Sequence, residues 1–193
     1  KLSPSITIIA NYAVGYGNMD VNAAKEKNIV VTNTPEVLDD STADVSIILL
    51  LGASRKVLEA RRAAERQDWK WSADFMLGKQ MSNRRLGILG MGRIGRAVAK
   101  RARGFNMEIH YHNRNQLSKD LEGGAIYHKS IKDLFNCSDF LSINCPATKE
   151  TNKIINKETL AFLPDNVVIG NAARGDVVDD VAMIEALKSK KVF

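Results

Sequence analysis

The chain has 193 residues, of which 45% are hydrophobic and 26% charged, so it can bury the core of an ordinary globular domain. Its 28 Lys and Arg against 22 Asp and Glu give a net charge of +6. The positive residues are spread along the chain, with no basic tail and no stripe interleaved with aromatic residues. This distribution argues against a nucleic-acid-binding protein.

Two further features of the composition bear on the cellular compartment. The longest apolar run, residues 45–51, is too short to cross a bilayer, and the first ten residues lack the pattern of a signal peptide. Cys137 and Cys145 each lie in or near an apolar run, so we interpret both as buried thiols in a reducing compartment and expect no metal site. We therefore expect a soluble, cytoplasmic protein that has no membrane partner.

The first 84 residues are predicted to form two short strands, a short helix and one long helix: a strand at 5–10, a helix at 20–27, a strand at 29–32 and a helix from 39 or 41 to about 66. The apolar run 45–51 indicates that the long helix is buried on most sides. Residues 67–83 carry two tryptophans without clear periodicity. We interpret them as an ordered loop whose aromatic side chains need a partner surface.

From residue 85 onward, short apolar strands alternate with helices. The predicted elements are strands at 86–89, 107–112, 140–144 and 167–170, and helices at 94–104, 131–136, 158–162 and 181–190. Strands that are apolar on both faces are typical of a parallel sheet covered by helices. The sequence therefore predicts an α/β fold with a doubly wound parallel sheet of the Rossmann type.

The glycine-rich segment GMGRIG at 90–95 lies between a predicted strand and a predicted helix. In that context Gly90 permits a tight turn, Gly92 lets the backbone approach a pyrophosphate, and Gly95 allows the helix to pack closely on the strand. The N–H groups at the start of the helix would face the phosphates. The pattern predicts a dinucleotide site, and the alternative is an ordinary strand-to-helix turn.

The end of the next strand bears on the choice between NAD and NADP. An NAD site usually places an acid there, whereas this chain has Asn113 followed by Arg114. Arg114 can pair with a 2′-phosphate and Asn113 can donate to it, so we predict a preference for NADP(H). The alternative is that Arg114 is a solvated surface residue and that NAD binds without a carboxylate.

Five segments together resemble the D-isomer-specific 2-hydroxyacid dehydrogenase family. They are VGYGNMD at 14–20, NTP at 33–35, LGMGRIG at 89–95, CP at 145–146 with Thr148 and Thr151, and NAARGD at 171–176. The resemblance covers essentially the whole chain. The segment HNR at 112–114 is most similar to the glyoxylate/hydroxypyruvate reductase group, which includes enzymes that also take 2-ketogluconate.

Arg174 follows the strand predicted at 167–170 and is thus expected at the carboxyl end of a parallel strand, where such sheets bind ligands. The resemblance implies that Arg174 is the catalytic and substrate-binding cation, which holds the carboxylate of a 2-keto acid and polarises its keto oxygen. It also implies that the backbone N–H groups of Val14 and Gly15 bind the substrate carboxylate. The alternative for Arg174 is a purely structural role, and the alternative for Val14 and Gly15 is a plain turn.

The resemblance extends the dinucleotide site beyond Gly90, Gly92, Gly95, Asn113 and Arg114. The added cofactor-binding residues are Arg93 and Ile94 at the pyrophosphate, Cys145 and Pro146 at the adenosine, Ala172 at the nicotinamide, and Thr151. The three histidines of the chain lie on or after the strand at 107–112, and we interpret them as strand or surface residues.

The resemblance also divides the chain into three parts. Residues 1–34 are the C-terminal remnant of a substrate domain, 35–84 an interdomain helix and dimerisation loop, and 85–193 a dinucleotide-binding domain truncated before its last strands. The family implies a proton-donating histidine and an orienting acid downstream of Arg174. We expect both beyond Phe193, so that the chain alone binds nucleotide without turning over a keto acid.

The leading hypothesis is an oxidoreductase that reduces a small 2-keto acid, of the glyoxylate or hydroxypyruvate type, to the D-2-hydroxy acid with hydride from NAD(P)H. The alternative is a nucleotide-sensing, corepressor-like binding protein, because one fold can serve both classes. The long apolar helix and the tryptophan-bearing loop further predict a homodimer.

Overall fold

The structure is a computed structural model that describes residues 5–67 and 69–193; the first four residues of the predicted substrate-domain remnant and residue 68 lie outside this range. The described chain forms two compact units, the first ending at Asp39 and the second beginning at Asp40. Its elements in chain order are β1 Ile8–Ala10, α1 Val21–Glu26, β2 Val30–Thr32, α2 Asp39–Ser54, α3 Val57–Arg66, β3 Arg85–Leu89, α4 Arg93–Arg103, β4 Glu108–His112, α5 Lys119–Glu122, β5 Ile126–Tyr127, α6 Ile131–Asn136, β6 Phe140–Ile143, α7 Lys157–Ala161, β7 Val168–Asn171 and α8 Asp180–Lys188.

The first unit contains a parallel pair of strands joined through one helix. β1 pairs with β2 in the register Ile8 to Val30. α1 begins after Asp20, whose carboxylate accepts a hydrogen bond of 2.9 Å from the N–H of Ala23 and so caps the helix. The predicted strands and helix are therefore present, although both strands are shorter than the apolar pattern indicated.

The second unit contains a five-stranded sheet in the order β5-β4-β3-β6-β7, with every neighbouring pair parallel. The chain runs outward from β3 through β4 to β5, and then returns to the other side of β3 with β6. Ligands of such sheets bind outside the carboxyl ends of the strands where this reversal occurs. The predicted Rossmann-type parallel sheet is confirmed.

Helices cover both faces of this sheet. Alternate residues of β3 point to opposite faces, so that Leu86 and Ile88 join one buried cluster while Leu89 joins the other. The first cluster includes apolar residues of α2 and α4, and the second includes residues of α6, α7 and α8. The core thus lies in two layers, as a doubly wound sheet requires.

The single long helix predicted up to residue 66 is wrong. The helix ends at Ser54, Lys56 adopts a left-handed conformation (φ 52°), and a separate helix, α3, begins at Val57. The predicted burial on most sides is also wrong for the single chain. Ile47 and Leu50 are buried against the sheet, while Val45 and Ile48 on other sides of α2 are exposed, because the helix packs on one face of the sheet only.

Two short elements were missed by the sequence analysis, and the environment of one cysteine differs from expectation. α5 and β5 have four and two residues, which is too short for a hydrophobic period to be visible. Cys137 is only partly buried, whereas Cys145 is buried. In the loop after α3, Trp69 stacks on Phe75 with 5.3 Å between ring centroids.

Within residues 5–67 and 69–193, no helix combines the length and apolar character that would be needed to span a membrane.

Candidate functional site

The glycine turn between β3 and α4 has a conformation that other residues would disturb. Gly90 has a φ of +96°, and a Cβ at this position would lie 2.6 Å from the backbone nitrogen of Cys145. A Cβ at Gly95 would collide with the carbonyl oxygen of Gly90. These two glycines therefore set how closely the turn approaches the end of β6 and how closely α4 packs on the turn.

Gly92 differs from Gly90 and Gly95 because nothing in the described part of the chain, apart from its own chain neighbours, lies within 4 Å of where its Cβ would be. It is the N-cap of α4, and the first N–H groups of a helix have no partner within the helix. Open space in front of a positive helix end suits an anionic group. The turn thus fits the pyrophosphate of a dinucleotide at Gly92 and the residues that follow, Arg93 and Ile94.

Asn113 joins the end of β4 to the glycine turn. Its side-chain oxygen Oδ1 accepts a hydrogen bond of 2.7 Å from the N–H of Met91. The backbone oxygen of Asn113 lies 3.3 Å from the hydroxyl of Tyr127, which donates to it. Asn113 thus positions the turn through Oδ1. Its side-chain donor Nδ2 is left for a contact with the ribose.

Arg114 lies next along the chain and is exposed. Its guanidinium forms no ion pair with any residue that the structure describes. Its positive charge contributes to the environment of Glu150, whose pKa lies below the usual range chiefly because Thr148 donates a hydrogen bond to the carboxylate. Arg114 is therefore available to a phosphate near the loop that follows β6.

The loop that follows β6 is held by its own hydrogen bonds. The hydroxyl of Thr151 donates to the backbone oxygen of Pro146 at 2.6 Å and accepts from the N–H of Thr148 at 2.7 Å. Cys145 is buried against Gly90, while Pro146 is exposed. Thr151 thus supports the shape of this loop through both its donor and its acceptor capacity.

Arg174 lies just after β7 on a backbone that Asn171 holds in place. Asn171 Oδ1 accepts from the N–H of Ala173 at 2.9 Å, and Asn171 Nδ2 donates to the backbone oxygen of Arg174 at 2.8 Å. The guanidinium of Arg174 is exposed, donates to the backbone oxygen of Ala173, and pairs with no carboxylate of the described residues. An exposed, unpaired guanidinium can take a carboxylate in a bidentate manner.

Asn171 is a positioning residue that the sequence analysis did not single out. An asparagine at a strand end that bonds its own backbone two or three residues on is a known turn signal, and it could have been found on that ground. Ala172, the neighbouring residue assigned to the nicotinamide, donates its N–H to the oxygen of Ile143 at 3.3 Å. Both therefore lie at the carboxyl end of the sheet beside β6.

A buried polar network supports the segment that carries Arg114. The hydroxyl of Tyr111 accepts from the N–H of Leu117 at 3.0 Å and donates to Glu122 at 2.8 Å, and Gln116 donates to the same Glu122 oxygen at 2.7 Å. The pKa of Glu122 is lowered, first by Gln116 and then by Tyr111. Burial raises the pKa of Tyr111 to about 12.

The residues of the second unit that were predicted for the site share one edge of the sheet. Because all five strands are parallel, the carboxyl ends of β3, β4, β6 and β7 meet there. The glycine turn follows β3, Asn113 follows β4, Cys145 lies just beyond β6, and Arg174 lies just beyond β7. The edge thus carries both the start of α4 and an exposed guanidinium that pairs with no described carboxylate.

Val14 and Gly15 belong to the first unit, where two asparagines hold their carbonyl groups. Asn33 Nδ2 donates to the oxygen of Val14, and Asn11 Nδ2 donates to the oxygen of Gly15, both at 2.9 Å. The N–H groups of Val14 and Gly15 have no acceptor among the residues that the structure describes. The loop therefore presents free donors, and its role toward a substrate carboxylate stays a prediction.

The chain is similar to oxidoreductases of known sequence and structure. Residues 47–193 match the model of the NAD binding domain of D-isomer specific 2-hydroxyacid dehydrogenases. The chain is 44% identical to glyoxylate reductase of Thermococcus kodakarensis over 192 residues, which are 96% of this chain and 57% of the relative. It is 35% identical to glycerate dehydrogenase of Hyphomicrobium methylovorum over 195 aligned residues, covering 100% of this chain and 61% of the relative.

Among solved structures, a glyoxylate reductase from Paecilomyes thermophila superposes with a TM-score of 0.91 at 43% identity, covering 99% of this chain and 57% of that one. The chain thus spans 57–61% of the length of these relatives. The match to the domain model includes the glycine turn, the end of β4 and Arg174. A nicotinamide dinucleotide is accordingly the cofactor, and the chain belongs to the D-isomer specific 2-hydroxyacid dehydrogenase family.

Proposed function

We propose that the intact protein reduces a small 2-keto acid, of the glyoxylate or hydroxypyruvate type, to the D-2-hydroxy acid. The observation that carries this proposal is the unpaired guanidinium of Arg174 on the sheet edge that also holds the glycine turn. The names of the similar proteins, glyoxylate reductase and glycerate dehydrogenase, support the same reaction. They favour an enzyme over the corepressor alternative.

The residues at this sheet edge have separate roles in the proposed reaction. Arg174 binds the substrate carboxylate through its planar fork and stabilises the negative charge that develops on the keto oxygen. Asn171 keeps the backbone around Arg174 in one conformation. The nicotinamide, when bound, supplies the hydride, and the start of α4 and Ala172 would hold the cofactor.

The activity is tested by mixing the purified intact protein with NADPH or NADH and following the loss of reduced-nicotinamide absorbance with glyoxylate and with hydroxypyruvate. We expect oxidation with at least one of these acids. Replacing Arg174 by Lys should lower kcat/KM by about 100-fold or more, because a point charge cannot reproduce the fork. Full activity of Arg174→Lys, or no oxidation by the unmodified protein with either acid, would refute the proposal.

We also propose that the cofactor is NADP(H) in preference to NAD(H). Arg114 is exposed and unpaired in the described chain, and the neighbouring position 113 holds a neutral amide where a carboxylate would repel a 2′-phosphate. Comparing the KM values for NADPH and NADH on the intact protein tests this cofactor preference. A value for NADH that equals or falls below the value for NADPH would contradict the preference.

The remaining proposals concern the organisation of the intact protein. We propose that residues 1–34 belong to its substrate domain, 35–84 to an interdomain helix and dimerisation loop, and 85–193 to its dinucleotide-binding domain. We further propose a homodimer in the cytoplasm. Exposed apolar side chains on α2 and α3, among them Ile48 and Leu58, support a protein partner for this surface.

A further inference from the structure

Three potential metal ligands meet on the sheet away from the glycine turn: His110, His128 and Cys137. One ligand atom from each lies within 4.8 Å of the other two. His110 Nδ1 is 2.9 Å from His128 Nε2, and His128 Nε2 is 3.6 Å from Cys137 Sγ. His110 is buried, while His128 and Cys137 are partly exposed, so an ion could reach the cluster from solvent.

Three different elements bring this cluster together. Alternate residues of β4 face the same side of the sheet, which places Glu108 and His110 together. β5 pairs with β4 so that His110 lies beside Ile126, and His128 follows this strand by one residue. α6 ends at Cys137, its C-cap. The ligands are therefore supported by ordered backbone on every side.

His110 has a second ring nitrogen, Nε2, beside the carboxylate of Glu108. Its side chain is 7% exposed, and its Nε2 atom has no hydrogen-bond partner in the described chain. The carboxylate oxygen Oε1 of Glu108 lies 2.7 Å away, but without the geometry of a hydrogen bond. The nitrogen that faces His128 is the other one, Nδ1, so the contact of Nε2 with Glu108 leaves Nδ1 for an ion.

We propose that His110, His128 and Cys137 form a binding site for a divalent cation of borderline softness, such as Zn²⁺. Imidazole nitrogen and thiolate sulfur are the ligands that Zn²⁺ prefers, and three protein ligands plus water complete a tetrahedron. Tetrahedral bond lengths require about 3.6 Å between N and S and about 3.3 Å between two N atoms. The observed 3.6 Å between His128 and Cys137 meets the first requirement, and the two rings must separate by about 0.4 Å to meet the second. The third pair, His110 and Cys137, lies within 4.8 Å and must also reach about 3.6 Å, so binding needs a small adjustment of these side chains.

Metal binding requires one proton to leave Cys137 and another to move within the pair His110 and His128. The Cys137 thiol, which now donates to the oxygen of Leu134, releases its proton to solvent as the S–metal bond forms. The proton that His110 Nδ1 and His128 Nε2 share moves to the far nitrogen of the ring that owns it. On His110 that nitrogen is Nε2, next to Glu108. A carboxylate behind a metal-bound imidazole is the usual outer partner of such a ligand.

The proposal is tested by titrating the purified intact protein with Co²⁺, which replaces Zn²⁺ and shows a thiolate-to-metal charge-transfer band. We expect saturation at one ion per chain, and bleaching of the band when Zn²⁺ is added. The band should be absent in Cys137→Ala and His128→Gln and retained in Cys145→Ala, the matched cysteine control. Glu108→Gln should weaken Co²⁺ binding about 10- to 100-fold without abolishing the band.

Circular dichroism checks that each variant is folded. The titration of the unmodified protein decides the question even if a variant fails to fold. Absence of a charge-transfer band in that titration would overturn the proposal, and so would a band that persists in a folded Cys137→Ala variant.

Discussion

The three glycines of the dinucleotide turn have different physical roles, although their spacing makes them look equivalent. Gly90 is required by its own backbone angle and by the backbone of Cys145, and Gly95 by the carbonyl group of Gly90. Gly92 has an ordinary φ of −75° and open space around its Cβ position. Two of the glycines are therefore required by the fold, whereas the third borders open space, as the proposed dinucleotide site needs.

This difference leads to a prediction about two alanine variants. Gly90→Ala should lower the free energy of unfolding by more than about 1 kcal/mol, because alanine is strained at positive φ and its Cβ would collide with Cys145. Gly92→Ala should unfold like the unmodified protein but bind dinucleotide more weakly. Urea denaturation and fluorescence titration with NADPH measure the two effects. Equal stability of both variants would contradict this division of roles.

Arg114 allows a second prediction at the scale of single residues. Arg114→Ala should raise the KM for NADPH about 10- to 100-fold and leave the KM for NADH unchanged, because a charge-assisted hydrogen bond to phosphate is worth about 1.5–3 kcal/mol. Lys149→Ala is the matched control, since Lys149 is also an exposed cation near Glu150. An equal loss in both variants would indicate a general effect of positive charge.

At the scale of elements, β4 and α5 are joined by the hydroxyl of Tyr111 and the carboxylate of Glu122. Both groups are buried, and Leu117 and Gln116 of the intervening segment bond to them. This network gives the segment after β4 a defined path, although it contains no regular structure between Asn113 and Leu117. Arg114 is thus presented by a supported loop.

The network predicts a dependence of stability on pH. The pKa of Tyr111 is raised from 10.0 to about 12 by burial, so the folded state favours the protonated hydroxyl. Its contribution to stability is complete below pH 10 and is lost as the pH rises toward 12. Denaturant unfolding should therefore show a steeper loss of stability across this range for the unmodified protein than for Tyr111→Phe. Parallel curves would exclude this role for Tyr111.

The sequence patterns missed one break in a helix and two short elements. The break between α2 and α3 occurs at Lys56, a residue type that usually continues a helix, so no local signal marked it. α5 and β5 are too short to display a period. The longer strands β3 and β4 and the helix α4 lie within one or two residues of their predicted bounds.

At the scale of the whole molecule, apolar side chains remain uncovered on the second unit. Ile48 is 64% exposed, Leu58 65% and Trp71 80%. Exposed apolar side chains such as these, on α2, α3 and the following loop, suit a protein interface. The net charge of +6, by contrast, is spread over the chain and suggests no surface for a polyanion.

The intact protein should accordingly have the mass of two chains in analytical ultracentrifugation. Ile48→Glu should shift it toward the monomer, because a charge would be buried without a partner at the interface. Lys129→Glu, at an exposed position outside α2 and α3, should leave the dimer intact. A monomeric mass for the unmodified protein would contradict the proposed homodimer.

The sequence by itself determined the parallel α/β class, the position of the dinucleotide turn and the strand end that bears Arg174. These features depend on local properties, namely apolar strands, glycine spacing and residues next to a strand end. Only the tertiary structure decided that Asn113 binds Met91, that Tyr111 meets Glu122, and that His110, His128 and Cys137 form a cluster. Such contacts depend on strand order and register, which bring together residues that no local pattern relates.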